Sequence, residues 1–181
     1  SGIGTSEPND ISAFNLSTDA SNHFEFIVNG STNADIISSS TYATGTWYHL
    51  AGVFDGTTAT LYINGVSAGS AVPSGLLTPA SPKMFFGRNT YDDPTYGRFL
   101  NGSLDDVRIY NRALSAGDVL ALYQNSARIL TAKNNTNVGL IAYWPMSEGT
   151  GTITADASGQ NNPGTLTGGP TWASGKFGKG L

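Results

Sequence analysis

The stretch Thr46–Gly65, T-W-Y-H-L-A-G-V-F-D-G-T-T-A-T-L-Y-I-N-G, leaves the chain few ways to fold. It reads as two β-strands and two turns. Asp55-Gly56 and Asn64-Gly65 interrupt it, and tight hairpin turns need the positive φ that Gly adopts freely and Asn and Asp tolerate. Between them Ala59, Leu61 and Ile63 share one face, with Thr60 and Tyr62 on the other. In Trp47–Phe54 apolar residues fall on both parities, Trp47 and Val53 on one, Leu50 and Phe54 on the other. A strand with that pattern is covered on both faces and belongs centrally in a layered β structure.

The remaining chain repeats this grammar. A strand is expected at Ile11–Leu16, then His23–Val28, where Phe24, Phe26 and Val28 share a face before Asn29-Gly30. Further strands are read at Ile36–Tyr42, Val66–Ala71, Lys83–Arg88 and Phe99–Tyr110. Ser115 reads as a helix N-cap with Asp118 three residues on, predicting one helix over Ala116–Gln124. Ser126–Gly139 is Asn-rich and reads as a linker, after which L-I-A-Y-W opens a new apolar run.

Composition excludes several classes. Charged residues make up 12% of 181, and the abundance of Gly (23) suits many turns and short strands rather than helical bundles. A net charge of -4 argues against nucleic acid as a partner. With no Cys there is neither disulfide nor thiolate chemistry. No apolar run approaches the ~20 residues of a membrane span. Ser1-Gly2-Ile3-Gly4 has neither the basic start nor the apolar stretch of a signal peptide, so a targeting segment is expected to have been removed or to lie elsewhere.

The order W-Y-H-L-A, D-G, L-Y-I-N-G, followed by F-L-N-G-S-L-D-D-V-R-I-Y-N-R-A-L-S at Phe99–Ser115, resembles the laminin-G-like domains of the concanavalin A-like lectin/glucanase superfamily. The resemblance implies an all-β, antiparallel jelly-roll β-sandwich, used as a non-catalytic recognition or adhesion module at the cell surface or outside it. Its implied partner is a glycan or an extracellular protein. A-Y-W-P, E-G-T-G, D-A-S-G, G-T-L, P-T-W and G-K-F-G-K, from Ala142 onward, resemble the beginning of such a domain, yet they follow its ending motif. Residues 1–125 are thus expected to be later strands, 126–139 a linker, and 140–181 opening strands. Those opening strands would complete the same sandwich or a neighbouring one. The neighbour is favoured here, because two early family strands are missing. The rival function is therefore a structural repeat in a surface filament or sheath, assembled by strand exchange through residues 140–181.

A polysaccharide hydrolase is the third reading. Glycosidases need two carboxyl groups at a fixed separation. The chain has only Glu7, Glu25 and Glu148, and none lies in the E-x-D-x-x-E spacing of the family's glucanases. No G-x-S-x-G elbow occurs, and His49 reads as a packed structural histidine. No catalytic residue is assigned.

Two binding sites are candidates. Asp156 to Gly164 resembles the D-x-S-G-x-x-x-x-G loop of family members, which implies a structural Ca²⁺ held by Asp156 and Asn161, with Asp105 added from the closing strand. Without a metal, the same residues make an Asx-turn and a hydrogen-bonded Asp105. Tyr91, Asp92, Asp93 and Tyr96, with Arg98, combine aromatic faces and polar groups as a sugar site would. The plainer and favoured reading is a solvated hairpin loop. N-x-S/T triads occur at Asn15, Asn29, Asn101 and Asn134.

Overall fold

The computed structural model describes residues 14–76, 84–87, 99–125 and 137–181. Among them the strands are β1 (Phe14–Thr18), β2 (His23–Val28), β3 (Gly30–Thr32), β4 (Ala34–Thr41), β5 (Leu50–Phe54), β6 (Ala59–Ile63), β7 (Val66–Ala71), β8 (Ser74–Leu76) and β9 (Val107–Tyr110). Helix α1 (Ala116–Asn125) follows, then β10 (Leu140–Trp144), β11 (Ile153–Thr154), β12 (Gly164–Thr165), β13 (Ala173–Ser174) and β14 (Lys179–Gly180).

Two antiparallel three-stranded sheets, β1-β2-β4 and β5-β6-β7, carry the architecture. In β2 the period-two pattern buries Phe24, Phe26 and Val28, and the facing sheet supplies Ala59 and Leu61 to the same core. Phe26 lies against Gly52 so closely that a Cβ there would sit 2.5 Å from its Cδ2. The missing side chain is what lets the sheets approach at this point.

The mixed parity of β5 has a direct structural cause. Leu50 and Phe54 pack into the core between the sheets. Ala51 and Val53 point the other way, with Tyr62 of β6, onto Leu114, Val119 and Leu122. The strand is covered on both faces because α1 packs on the second, although among the described residues it stands at the edge of the β5-β6-β7 sheet rather than at its centre. Ser115 Oγ accepts from Asp118 N–H at 3.1 Å and Asp118 Oδ2 accepts from Ser115 N–H at 3.0 Å, a capping box that starts the helix where the sequence placed it. Asn64 (φ 50°) and Gly65 (φ 81°) both take the left-handed conformation between β6 and β7, as a type I′ turn requires.

Three expectations are corrected. The strand read from Trp47 begins at Leu50, because His49 turns its backbone to Asn64 instead of a ladder: Asn64 Oδ1 accepts from His49 N–H (3.0 Å) and Asn64 N–H donates to His49 O (2.8 Å). Trp47 is half-buried and outside the core clusters. The strand read over Phe99–Tyr110 shrinks to β9, since Asp106 sits at φ 58° and breaks the extended run. The strand read at Lys83–Arg88 lies partly outside the described residues, and at 84–87 Gly87 O accepts from Leu100 N–H (2.8 Å).

The C-terminal segment pairs within the chain. β10 runs antiparallel to β9, with Tyr143 opposite Arg108 and Trp144 opposite Val107. Val107 and Ile109 meet Ala142, Trp144, Met146, Trp172 and Leu181 in a cluster of their own, apart from the core of β2, β4 and β6. Most of the expected linker, residues 126–136, lies outside the described residues.

Candidate functional site

The two carboxylates singled out by sequence have different hydrogen-bond partners. Asp156 follows β11 in a tight polar loop. Its Oδ1 accepts from Tyr143 N–H (2.9 Å) and Ser158 N–H (2.8 Å), and its Oδ2 from Ser158 Oγ–H (2.8 Å) and Asn162 N–H (2.9 Å). Partial burial pushes this carboxyl up. The donors of Asn162, Ser158 and Tyr143 outweigh that and hold its pKa at about 2.

Asp105 instead serves the turn between β13 and β14. Its Oδ2 accepts from Phe177 N–H at 2.8 Å, and Gly175 passes so near that a Cβ there would lie 2.7 Å from the same oxygen. Its Oδ1 is buried with no hydrogen-bond partner among the described residues. Burial raises its pKa, and the neighbouring Asp106 charge adds to this against the backbone donors.

In the described structure the oxygens of Asp156 are engaged within the chain. Ca²⁺ takes six to eight oxygens. An ionised carboxylate has about four lone-pair sites, and four donors already occupy those of Asp156. Asn161 is exposed at φ 60° and supplies the left-handed corner of the loop. Among the described residues no group of three or more His, Cys, Asp or Glu could hold a metal ion. Sequence reasoning passed over Asn162, which ties the loop down three ways: N–H to Asp156, Nδ2–H to Ile141 O (2.9 Å), and its carbonyl to Trp144 Nε1–H (2.8 Å). An N-N-P-G string signals a turn but not which Asn is anchored.

Between the two carboxylates lies a polar cluster. Tyr143 Oη–H donates to Asp106 Oδ1 at 2.6 Å, and burial and that bond raise the phenol pKa to about 12. Arg108 donates weakly to Asp106 (3.4 Å) and lies 4.4 Å above the Tyr143 ring. Burial, and then the Arg108 charge, push the His49 pKa below its ordinary value, so the imidazole is held neutral as a packed side chain against Tyr123. His49 Nδ1, Arg108 Nε and Tyr110 Oη are buried without partners among the described residues.

Tyr91, Asp92, Asp93 and Tyr96, and Arg98 beside them, lie outside the described residues.

Asp156→Ala is expected to cost on the order of 1–2 kcal/mol, since it strips the acceptor from Tyr143 N–H while solvent screens the rest. The folded pKa lies below the unfolded ~3.9, so the unfolded chain takes up its proton first as pH falls. The contribution is complete above that value and is lost as pH falls through about 2. Urea midpoints across the acid range check this. Equal acid dependence in wild type and Asp156→Asn would sink it.

Two sheets face to face, crossed by one helix, define an all-β sandwich. A laminin-G family model of the concanavalin A-like lectin/glucanases superfamily matches residues 2–120, and the chain belongs to that superfamily. A solved protein from Bacteroides ovatus, described provisionally as carbohydrate binding, is similar with 19% identity over 88% of this chain and 51% of its own, TM-score 0.57. An S-layer domain-containing protein from Clostridium thermocellum aligns with 32% identity over 56% of this chain and 51% of its own, TM-score 0.40. The chain therefore spans about half the length of these structures. No curated protein matches. Among the described residues no helix is long and apolar enough to cross a membrane.

Proposed function

We propose that the chain is a non-catalytic module that recognises carbohydrate outside the cell. Membership of a superfamily of lectins and glucanases carries this reading, and the sandwich shared with the Bacteroides ovatus protein is consistent with it. Within that superfamily the carboxylates decide between binding and hydrolysis. Glu25 accepts from Ser17 Oγ–H (2.8 Å) and hydrogen-bonds the Asp35 side chain, whose pKa burial raises. Carboxyl groups in direct contact are closer than the ~5–5.5 Å of a retaining glycosidase. Glu148 is tied to Thr154 Oγ1–H (3.1 Å) and Ala155 N–H (2.8 Å). Both are engaged within the chain, which supports binding over hydrolysis.

The loop with Tyr91, Asp92, Asp93 and Tyr96 is the proposed contact, on residue chemistry alone. A glycan array run with calcium and with chelator tests the reading. Retained glycans that are lost on Tyr91→Ala/Tyr96→Ala are expected. Binding that survives this variant moves the site elsewhere. No binding to any glycan leaves an extracellular protein as the partner class.

One observation favours a second reading, a filament or sheath subunit built by strand exchange. The third core forms between β9 and residues 140–181, and the same contacts can be made in trans. Concentration-dependent polymers in light scattering would support it.

A further inference from the structure

Three Asn-Gly pairs occur in the described residues, at Asn29, Asn64 and Asn101. Such a pair can react with itself. The glycine amide nitrogen attacks the asparagine Cγ, the Cγ–N bond breaks, and ammonia leaves. Water then opens the resulting succinimide to aspartate or, through the other carbonyl, to isoaspartate. The reaction needs a free glycine N–H, a side chain able to swing over it, and a backbone that yields.

The fold denies these conditions to two of the pairs. Asn29 is buried, Gly30 N–H is engaged by Asn33 Oδ1 at 3.1 Å, and Gly30 packs tightly on the Ser74 carbonyl. Asn64 is clamped to His49 through both its amide oxygen (3.0 Å) and its own N–H (2.8 Å). Gly65 beside it lies beneath Leu120 and Tyr123. Asn101 and Gly102 differ. Both are exposed in a bend, and neither is hydrogen-bonded to another described residue. The nearest side-chain atom to a Cβ at Gly102 would be Leu100 Cδ1 at 3.6 Å, which is ordinary contact.

We propose that Asn101 is a site of spontaneous deamidation through a succinimide. The product adds a negative charge just ahead of Asp105 and Asp106. As isoaspartate it also lengthens the backbone by one methylene between Phe99 and β9. It removes the acceptor nitrogen of the Asn101-Gly102-Ser103 triad as well.

The purified protein is incubated in mildly alkaline buffer, followed by peptide mapping and enzymatic methylation of isoaspartate. Asn101 is expected to react faster than Asn29 and Asn64 by at least about tenfold, the factor set by a local opening of ~1.4 kcal/mol at the protected pairs. Asn101→Gln should remove the isoaspartate signal from the folded protein. In denaturing urea all three pairs should react at comparable rates, which separates protection by the fold from intrinsic reactivity. Equal rates in the folded protein, or an intact Asn101 under conditions where the unfolded chain reacts at all three pairs, would overturn the assignment.

Discussion

Phe26→Ala is expected to lower the unfolding free energy by about 3–5 kcal/mol, the range for deleting a buried aromatic ring. Small domains hold only about 5–15 kcal/mol in total, so the variant should sit near the edge of folding. Phe26 is 3% exposed and lies in the cluster joining β2 and β4 to β6. The gap it leaves closes poorly, because the residue facing it is Gly52, which has no side chain to move in. Gly52→Ala should destabilise by ~1–3 kcal/mol for the opposite reason, an added methyl forced into a filled space. The two should be coupled: Gly52→Ala ought to cost much less in a Phe26→Leu background than in the wild type. Urea midpoints for the four proteins close the cycle. Additive effects would show that the ring and the glycine do not share the sheet-to-sheet contact.

Much of this contact could be read before any coordinates. Alternation in His23–Val28 and Ala59–Ile63 says which side chains point inward, and a pleated strand obeys that period closely. The two-sided pattern of Trp47–Phe54 announced a second covering layer, which α1 supplies for Ala51 and Val53. Parity does not say which strand lies opposite. Val107 and Ile109 therefore fell into a separate cluster although their pattern matched the main core. Trp47 was misjudged because hydrophobicity marks a strand's neighbourhood and not its first ladder bond, which the His49–Asn64 pairing decides.

The candidate site was legible in part. Asp156 and Asp105 stood out through the resemblance of their loop and closing strand to those of family members. What periodicity cannot show is who hydrogen-bonds to them. Tyr143 reaches Asp156 through its backbone and Asp106 through its hydroxyl, a link that exists only once β10 lies on β9. Asp156 thereby also clamps a strand.

Trp144→Ala should be the other large effect, again ~3–5 kcal/mol, but confined to one part of the chain. Trp144 is 8% exposed, faces Val107 across the ladder, and lies 5.2 Å from the Phe86 ring. Its Nε1–H also donates to Asn162 O at 2.8 Å, so its removal frees the loop that Asp156 organises. The third core draws on β9, β10, Trp172 and Leu181, while the first draws on β2, β4 and β6. Hydrogen exchange should therefore show residues 140–181 losing protection by about a hundredfold or more, with β2 and β6 little changed. A freed β9 would present unpaired backbone groups and exposed Val107 and Ile109, an edge that recruits another strand. The variant should accordingly associate more readily than the wild type as concentration rises, which sedimentation measures. If β2 and β6 lose protection together with β10, the chain unfolds as one cooperative unit. The C-terminal strands would then be part of the sandwich's stability rather than a segment it could exchange.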